Sequence, residues 1–124
     1  MNITQSAPIL LAKDVVASAN YFKEKVGFAV ELFGEPSNFA ILTHGVTKLM
    51  LAQVGKDVEI IPNWKLQEKT SDVYFWVDNI HQVYEDLQKK GAIIDFSLYL
   101  APWGVWEFGI QDLDDHDITF GQVA

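Results

Sequence analysis

The chain has 124 residues, 49 % of them hydrophobic, no cysteine, and a formal net charge of −8 at neutral pH. Missing cysteines exclude disulfides, thiolate metal sites and a cysteine nucleophile, and no apolar run approaches the roughly eighteen residues of a membrane span. A start without a basic-then-apolar leader makes the cytoplasm the expected location. In chain order, Ile9 to Ala12 reads as a strand leading to Asp14, an N-cap residue. Val15, Ala19, Phe22 and Val26 follow at helical spacing, and Gly27 supplies a left-handed stop. Phe28 to Leu32, Phe39 to Thr43 and Thr47 to Gln53 are then short strands, split by Gly34, Pro36 and Ser37 and by His44 and Gly45.

The same order returns. Val73 to Val77 leads to Asp78, the expected cap of a helix carrying Ile80, Val83, Tyr84 and Leu87 and closed by Gly91. Strands follow at Ile93 to Leu98, Val105 to Gln111 and Asp117 to Phe120. Asp14 and Gly27 are offset from Asp78 and Gly91 by the same 64 positions. Lysines gather in both last turns, Lys23 and Lys25 against Lys89 and Lys90, where a cation favours the negative end of the helix dipole. Cap, period, lysines and glycine agree at one offset, so the chain reads as a duplication. The fold expected is α+β, two βαβββ modules at about 1–62 and 63–124. A half of this size buries too little surface to be comfortable alone, so one domain spanning 1–124 is expected.

Charge separates the halves. Residues 1 to 62 hold five lysines against six acids, residues 63 to 124 four against eleven, or −1 and −7, and arginine is absent. An acidic surface without a guanidinium fork is a poor reader of nucleic acid and attracts cations. For any single acid, solubility is the simpler explanation. Neither a nucleic acid nor a membrane is expected as a partner.

Ala7-Pro8-Ile9-Leu10 before Asp14, Tyr21-Phe22 and Gly27-Phe28 around the first helix, and Pro102-Trp103-Gly104 followed by Glu107-Phe108 and Asp112 resemble the vicinal oxygen chelate superfamily. This is the glyoxalase, bleomycin-resistance and extradiol-dioxygenase group, and the likeness is strongest to bleomycin-resistance-type binding proteins. The resemblance covers essentially the whole chain and implies paired modules curled into a cupped mixed sheet around a pocket, commonly in a two-fold dimer. At the last turn the chain departs from it, with Asp112-Leu113-Asp114-Asp115-His116 in place of the usual Asp-Pro-x-Gly.

Enzymes of this superfamily hold a divalent metal with His, Gln or Glu near the start of each module's first strand and on its last strand. Carried over, those positions offer Ala7, which has no donor, then Gln53, Asp72 and Thr119. That set is short of the three or four donors a catalytic metal needs. His44 at a turn, His81 in a first helical turn and His116 in an acidic loop read as solvated residues. No metal and no other cofactor is expected.

The pocket lining then carries the function. Strand alternation puts Asp72, Tyr74 and Trp76 on one face and Val73, Phe75 and Val77 on the other. The resemblance points the first set into the cup, giving a carboxylate flanked by two aromatics, suited to a flat or cationic ligand. An ordinary aromatic core with Asp72 facing solvent is the alternative. Trp103 and Glu107 share a strand face at even spacing, opposite Trp106 and Phe108, and the resemblance implies that Trp103 lines the groove. Phe33, Phe39 and Trp64 fall in regions that also contribute to it.

The serines lack a nucleophile-elbow setting and the glycines form no phosphate-cradling loop, so no catalytic residue is assigned. The function expected is non-enzymatic binding of a small cationic or planar aromatic molecule, such as a glycopeptide antibiotic. A metal-dependent lyase or isomerase of glyoxalase type with atypical ligands is the alternative, and a structural or regulatory dimer with an empty cup a third. Eight Phe, four Trp and four Tyr exceed what one small core readily buries, which favours a homodimer.

Overall fold

The computed structural model describes residues 1–124, which form two compact units, 1–60 and 61–124. In the first, strand β1 (Ile9–Ala12) runs into helix α1 (Val15–Tyr21), which passes into a π-helical turn at Phe22–Val26. The Asp14 carboxylate accepts the Ala17 amide at 3.1 Å, as a cap should. Gly27, at φ +104°, ends the turn, and its amide and that of Phe28 both donate to the Phe22 carbonyl, at 2.8 and 3.0 Å. Strands β2 (Ala29–Phe33), β3 (Phe39–His44) and β4 (Thr47–Gln53) complete a sheet of order β1-β4-β3-β2. Only the β1–β4 pair is parallel. Val15, Ala19 and Phe22 bury against Leu10, Ala12, Leu42, Leu49 and Leu51, the alternate residues of each strand.

The second unit repeats this plan. A single turn of helix, α2 (Asn63–Leu66), comes first and has no counterpart in the sequence reading. Strand β5 (Val73–Trp76) leads to helix α3 (Ile80–Lys90), then β6 (Ile93–Leu100), β7 (Val105–Gln111) and β8 (Asp117–Val123), in the order β5-β8-β7-β6. Again the pair formed by the first and last strands, β5–β8, is parallel. Helix α3 packs on β6, β7 and β8. Beneath it Phe108 and Phe120 stack with ring centroids 4.9 Å apart at 11°, beside the buried Ile80, Leu87, Ile110 and Ile118. The fold is α+β, two four-stranded mixed sheets built as two βαβββ modules.

One expected cap is corrected. Asp78 does not cap α3; Asn79 holds the N-cap position at φ 52°, with no side-chain hydrogen bond to the first turn. The free Ile80 amide is met instead by Oε1 of Gln122, at 2.7 Å, from β8. In the first unit Oε1 of Gln53 takes the Val15 amide at 2.9 Å. The last strand of each unit thus supplies a glutamine that satisfies a donor the helix itself leaves unpaired, a second signature of duplication.

Candidate functional site

Alternation on the second sheet decides what its open face carries. Phe108 and Ile110 of β7 and Ile118 and Phe120 of β8 turn toward α3 and are buried. Glu107, Gly109 and Gln111 of β7, and Asp117, Thr119 and Gly121 of β8, therefore turn to the opposite face. Register places Glu107 beside Gly121, Gly109 beside Thr119 and Gln111 beside Asp117. A cavity of about 610 Å³ opens there, walled by Trp64, Tyr74, Phe96, Tyr99 and Trp103 around Glu107. Its polar rim includes Glu68, Asp95 and Asp117, with Lys69 as the one cation.

Two glycines make room for this face. A Cβ on Gly109 would overlap the Phe96 ring, and one on Gly121 would overlap the Tyr74 hydroxyl. Each aromatic ring lies where a neighbouring strand offers bare backbone, as glycine within a sheet permits.

Glu107 is 9 % exposed, and its only protein partners are phenols. Tyr74 donates to Oε2 at 2.7 Å, and Tyr99 approaches Oε1 at 3.4 Å. Burial holds the Tyr74 phenol well above its ordinary range, and the hydrogen bond and charge of Glu107 raise it further. Tyr99 is raised for the same reasons. Both hydroxyls therefore keep their protons at neutral pH and serve as donors. Asp117 is also raised, chiefly by burial; the Gln111 amide, 2.9 Å away, opposes this while the Asp95 and Asp72 charges add to it.

Asp72 has a different place from the one expected. Its Oδ1 accepts the Asn63 amide at 3.0 Å and its Oδ2 the Asp117 amide at 3.0 Å. It ties α2 and the start of β8 together and does not line the cavity, where Glu107 is the buried carboxylate. Trp76 is 64 % exposed and packs against Tyr74 at 4.7 Å between centroids, outside the cavity wall. Trp103 lines the cavity but from the turn before β7, not from a strand. Trp106, on the opposite face, meets the His81 ring edge-on at 4.8 Å. Phe33 and Phe39 are cross-strand partners on the first sheet, 6.5 Å apart, and belong to the other unit.

Trp64 reaches the cavity from α2, and its indole N–H donates to the Asp115 carbonyl at 2.7 Å. That carbonyl sits in the acidic turn, where His116 is not solvated as expected. His116 is 4 % exposed, and its Nδ1 lies 2.8 Å from Oδ2 of Asp112. Oδ1 of Asp112 accepts the amides of Asp114 and His116, at 3.0 and 2.9 Å. Burial lowers the His116 imidazole, but the Asp112 hydrogen bond and charge, helped by Asp72 and Asp114, outweigh it and leave it raised. The left-handed position that a glycine would suit in this turn is taken by Asp115, at φ 65°.

Phe96 and Tyr99 escaped the sequence reading because β6 slips register between Ile94 and Phe96 and again between Phe96 and Tyr99. Simple alternation fails across such bulges. The small and polar alternation Glu107, Gly109, Gln111 and Asp117, Thr119, Gly121 was the available signal. A metal does not fit the residues at the superfamily's ligand positions. Ala7 has no donor, Gln53 is engaged with the Val15 amide, and both Asp72 oxygens accept amides. Nor does the fold gather three His, Cys, Asp or Glu side chains into a group that suits an ion.

No protein-family model and no curated protein matches this sequence. Solved structures do. A glyoxalase-related enzyme from Clostridium phytofermentans superposes with a TM-score of 0.79 at 15 % identity, over 100 % of this chain and 98 % of that one. TioX from Micromonospora gives 0.70 at 21 % identity, over 98 % and 97 %. A glyoxalase/bleomycin resistance protein/dioxygenase from Nocardioides gives 0.71 at 16 % identity, over 99 % and 85 %. The chain shares the paired-module, glyoxalase-like fold of these structures.

Proposed function

We propose that the chain binds and sequesters a small cationic, planar aromatic molecule in the cavity of its second unit, without transforming it. The observation that carries this reading is Glu107, a buried carboxylate that shares its cavity with five aromatic residues and forms no ion pair within the protein. Burying a charge is costly unless it is paired, and a ligand cation supplies the missing partner. Each well-placed aromatic face adds roughly 0.5 to 2 kcal/mol to the hold on a cation. The bleomycin-resistance description carried by the Nocardioides structure supports an antibiotic-like ligand, and the poor fit of the donor positions speaks against a glyoxalase-type metal reaction. We further propose that the protein works as a cytoplasmic two-fold homodimer.

A thermal-shift screen against cationic antibiotics and planar aromatic cations tests the reading, since a ligand bound only by the native state raises the melting temperature. For any compound that scores, Trp103→Ala is expected to weaken binding at least several-fold with little change in stability. Trp106→Ala, which loses the His81 contact, is expected mainly to lower the melting temperature. A screen without a single shift, or binding abolished by Trp106→Ala alone in a folded protein, would reject it.

A further inference from the structure

The two oxygens of Glu107 are not equivalent. Oε2 has a short bond from Tyr74, 2.7 Å, whereas Oε1 has only the 3.4 Å approach of Tyr99. Tyr74 is held in that position because its hydroxyl lies over Gly121, the residue paired with Glu107 across the strands. The phenol takes up one of the two accepting positions of Oε2. Glu107 lines the cavity, and its Oε1 has most of its accepting capacity unused.

We propose that Glu107 is a single-point receptor for an N–H-bearing ammonium group, which it binds through Oε1, and that Tyr74, seated by Gly121, disfavours two-point recognition by competing for Oε2. This rests on the binding reading above and narrows it to a ligand class. An aromatic cage alone holds quaternary and protonated amines alike. A buried carboxylate acceptor adds a charge-assisted hydrogen bond that only an N–H cation can make. Amidinium and guanidinium groups favour two parallel bonds to both oxygens of a carboxylate. With Tyr74 competing for Oε2, that advantage is weakened and a compact ammonium is the better match. Gly121 and Tyr74 are positioning residues in this scheme, because they set which oxygen the ligand meets.

The test uses three probes on the full chain: naphthylmethylammonium, its trimethylated counterpart and naphthamidinium, with affinities from isothermal titration. The native protein is expected to prefer the ammonium over the trimethyl probe by about tenfold or more. Glu107→Gln should erase that preference. In Tyr74→Phe, which keeps the ring and frees Oε2, the amidinium is expected to overtake the ammonium. Because the first comparison needs no variant, misfolding of Glu107→Gln leaves the proposal testable. Equal binding of ammonium and trimethyl probes by the native protein would overturn it while sparing the binding reading. An unchanged amidinium-to-ammonium ratio in Tyr74→Phe would overturn the competing role of Tyr74. If none of the three binds, the ligand class is wrong for this cavity and the binding reading fails with it.

Discussion

Two carboxylates of the second unit sit close in the sequence reading and far apart in chemistry. Asp72 spends both oxygens on backbone amides, partners that cannot rotate away, so it stiffens the fold. Glu107 faces phenols, whose protons can turn to another acceptor. That difference was invisible in the sequence, where both were acids on strand faces. The phenols report on it directly. Burial raises Tyr74 and Tyr99, and Glu107 raises them further. Glu107→Gln removes the charge and leaves the burial, so both tyrosines are expected to ionise at lower pH than in the native protein, though not at the ordinary value. An alkaline titration followed at the tyrosinate absorbance measures it; an unchanged curve would mean the phenols do not sense this carboxylate.

At the scale of elements, α1 and α3 were legible from their periodicity and glycine stops, and β4 and β7 from their apolar runs. The α3 cap was not, because the acceptor comes from Gln122, forty-two positions away, and local sequence carries no trace of such a partner. Losing that acceptor leaves the Ile80 amide unpaired, so Gln122→Ala is expected to cost about 1 kcal/mol of stability, read as a shifted denaturant midpoint. The turn before β8 was misjudged for a related reason: Asp112 and His116 look soluble singly and bury as a pair. Since the folded state raises His116, the pair stabilises fully below the imidazole's unfolded value, near 6.5, and the benefit is lost as pH rises through the raised folded value. The melting temperature should therefore fall across that window, and His116→Gln should flatten the fall. An identical pH profile in the variant would assign the dependence to other groups.

For the whole molecule, the repeated plan was the part of the fold most open to reading, because a duplication writes the same caps, periods and stops twice. No helix is long and apolar enough to cross a membrane. The first sheet leaves Ile9, Leu11 and Phe33 respectively 57 %, 40 % and 40 % exposed, all on the face turned from α1. The proposed homodimer would cover this exposed apolar surface. Sedimentation at micromolar concentration is expected to give twice the monomer mass. Phe33→Glu and Leu11→Glu should shift that equilibrium toward monomer; a native protein that sediments as a monomer removes the dimer from the proposal.

Gly109 and Gly121 have a consequence for how this cavity changes over evolution or in the laboratory. Both sit in regular strands with neighbours on either side, and neither has the positive φ that would by itself resist an L side chain. What keeps them glycine is the ring lying on each. The depth of the cavity is thus governed by two absent methyl groups behind its wall. Restoring one pushes Phe96 or Tyr74 inward without altering the chemical identity of any side chain a ligand would touch. A small library at these two positions, with compensating changes at Phe96 and Tyr74, offers a way to retune which molecules fit while Glu107 stays in place.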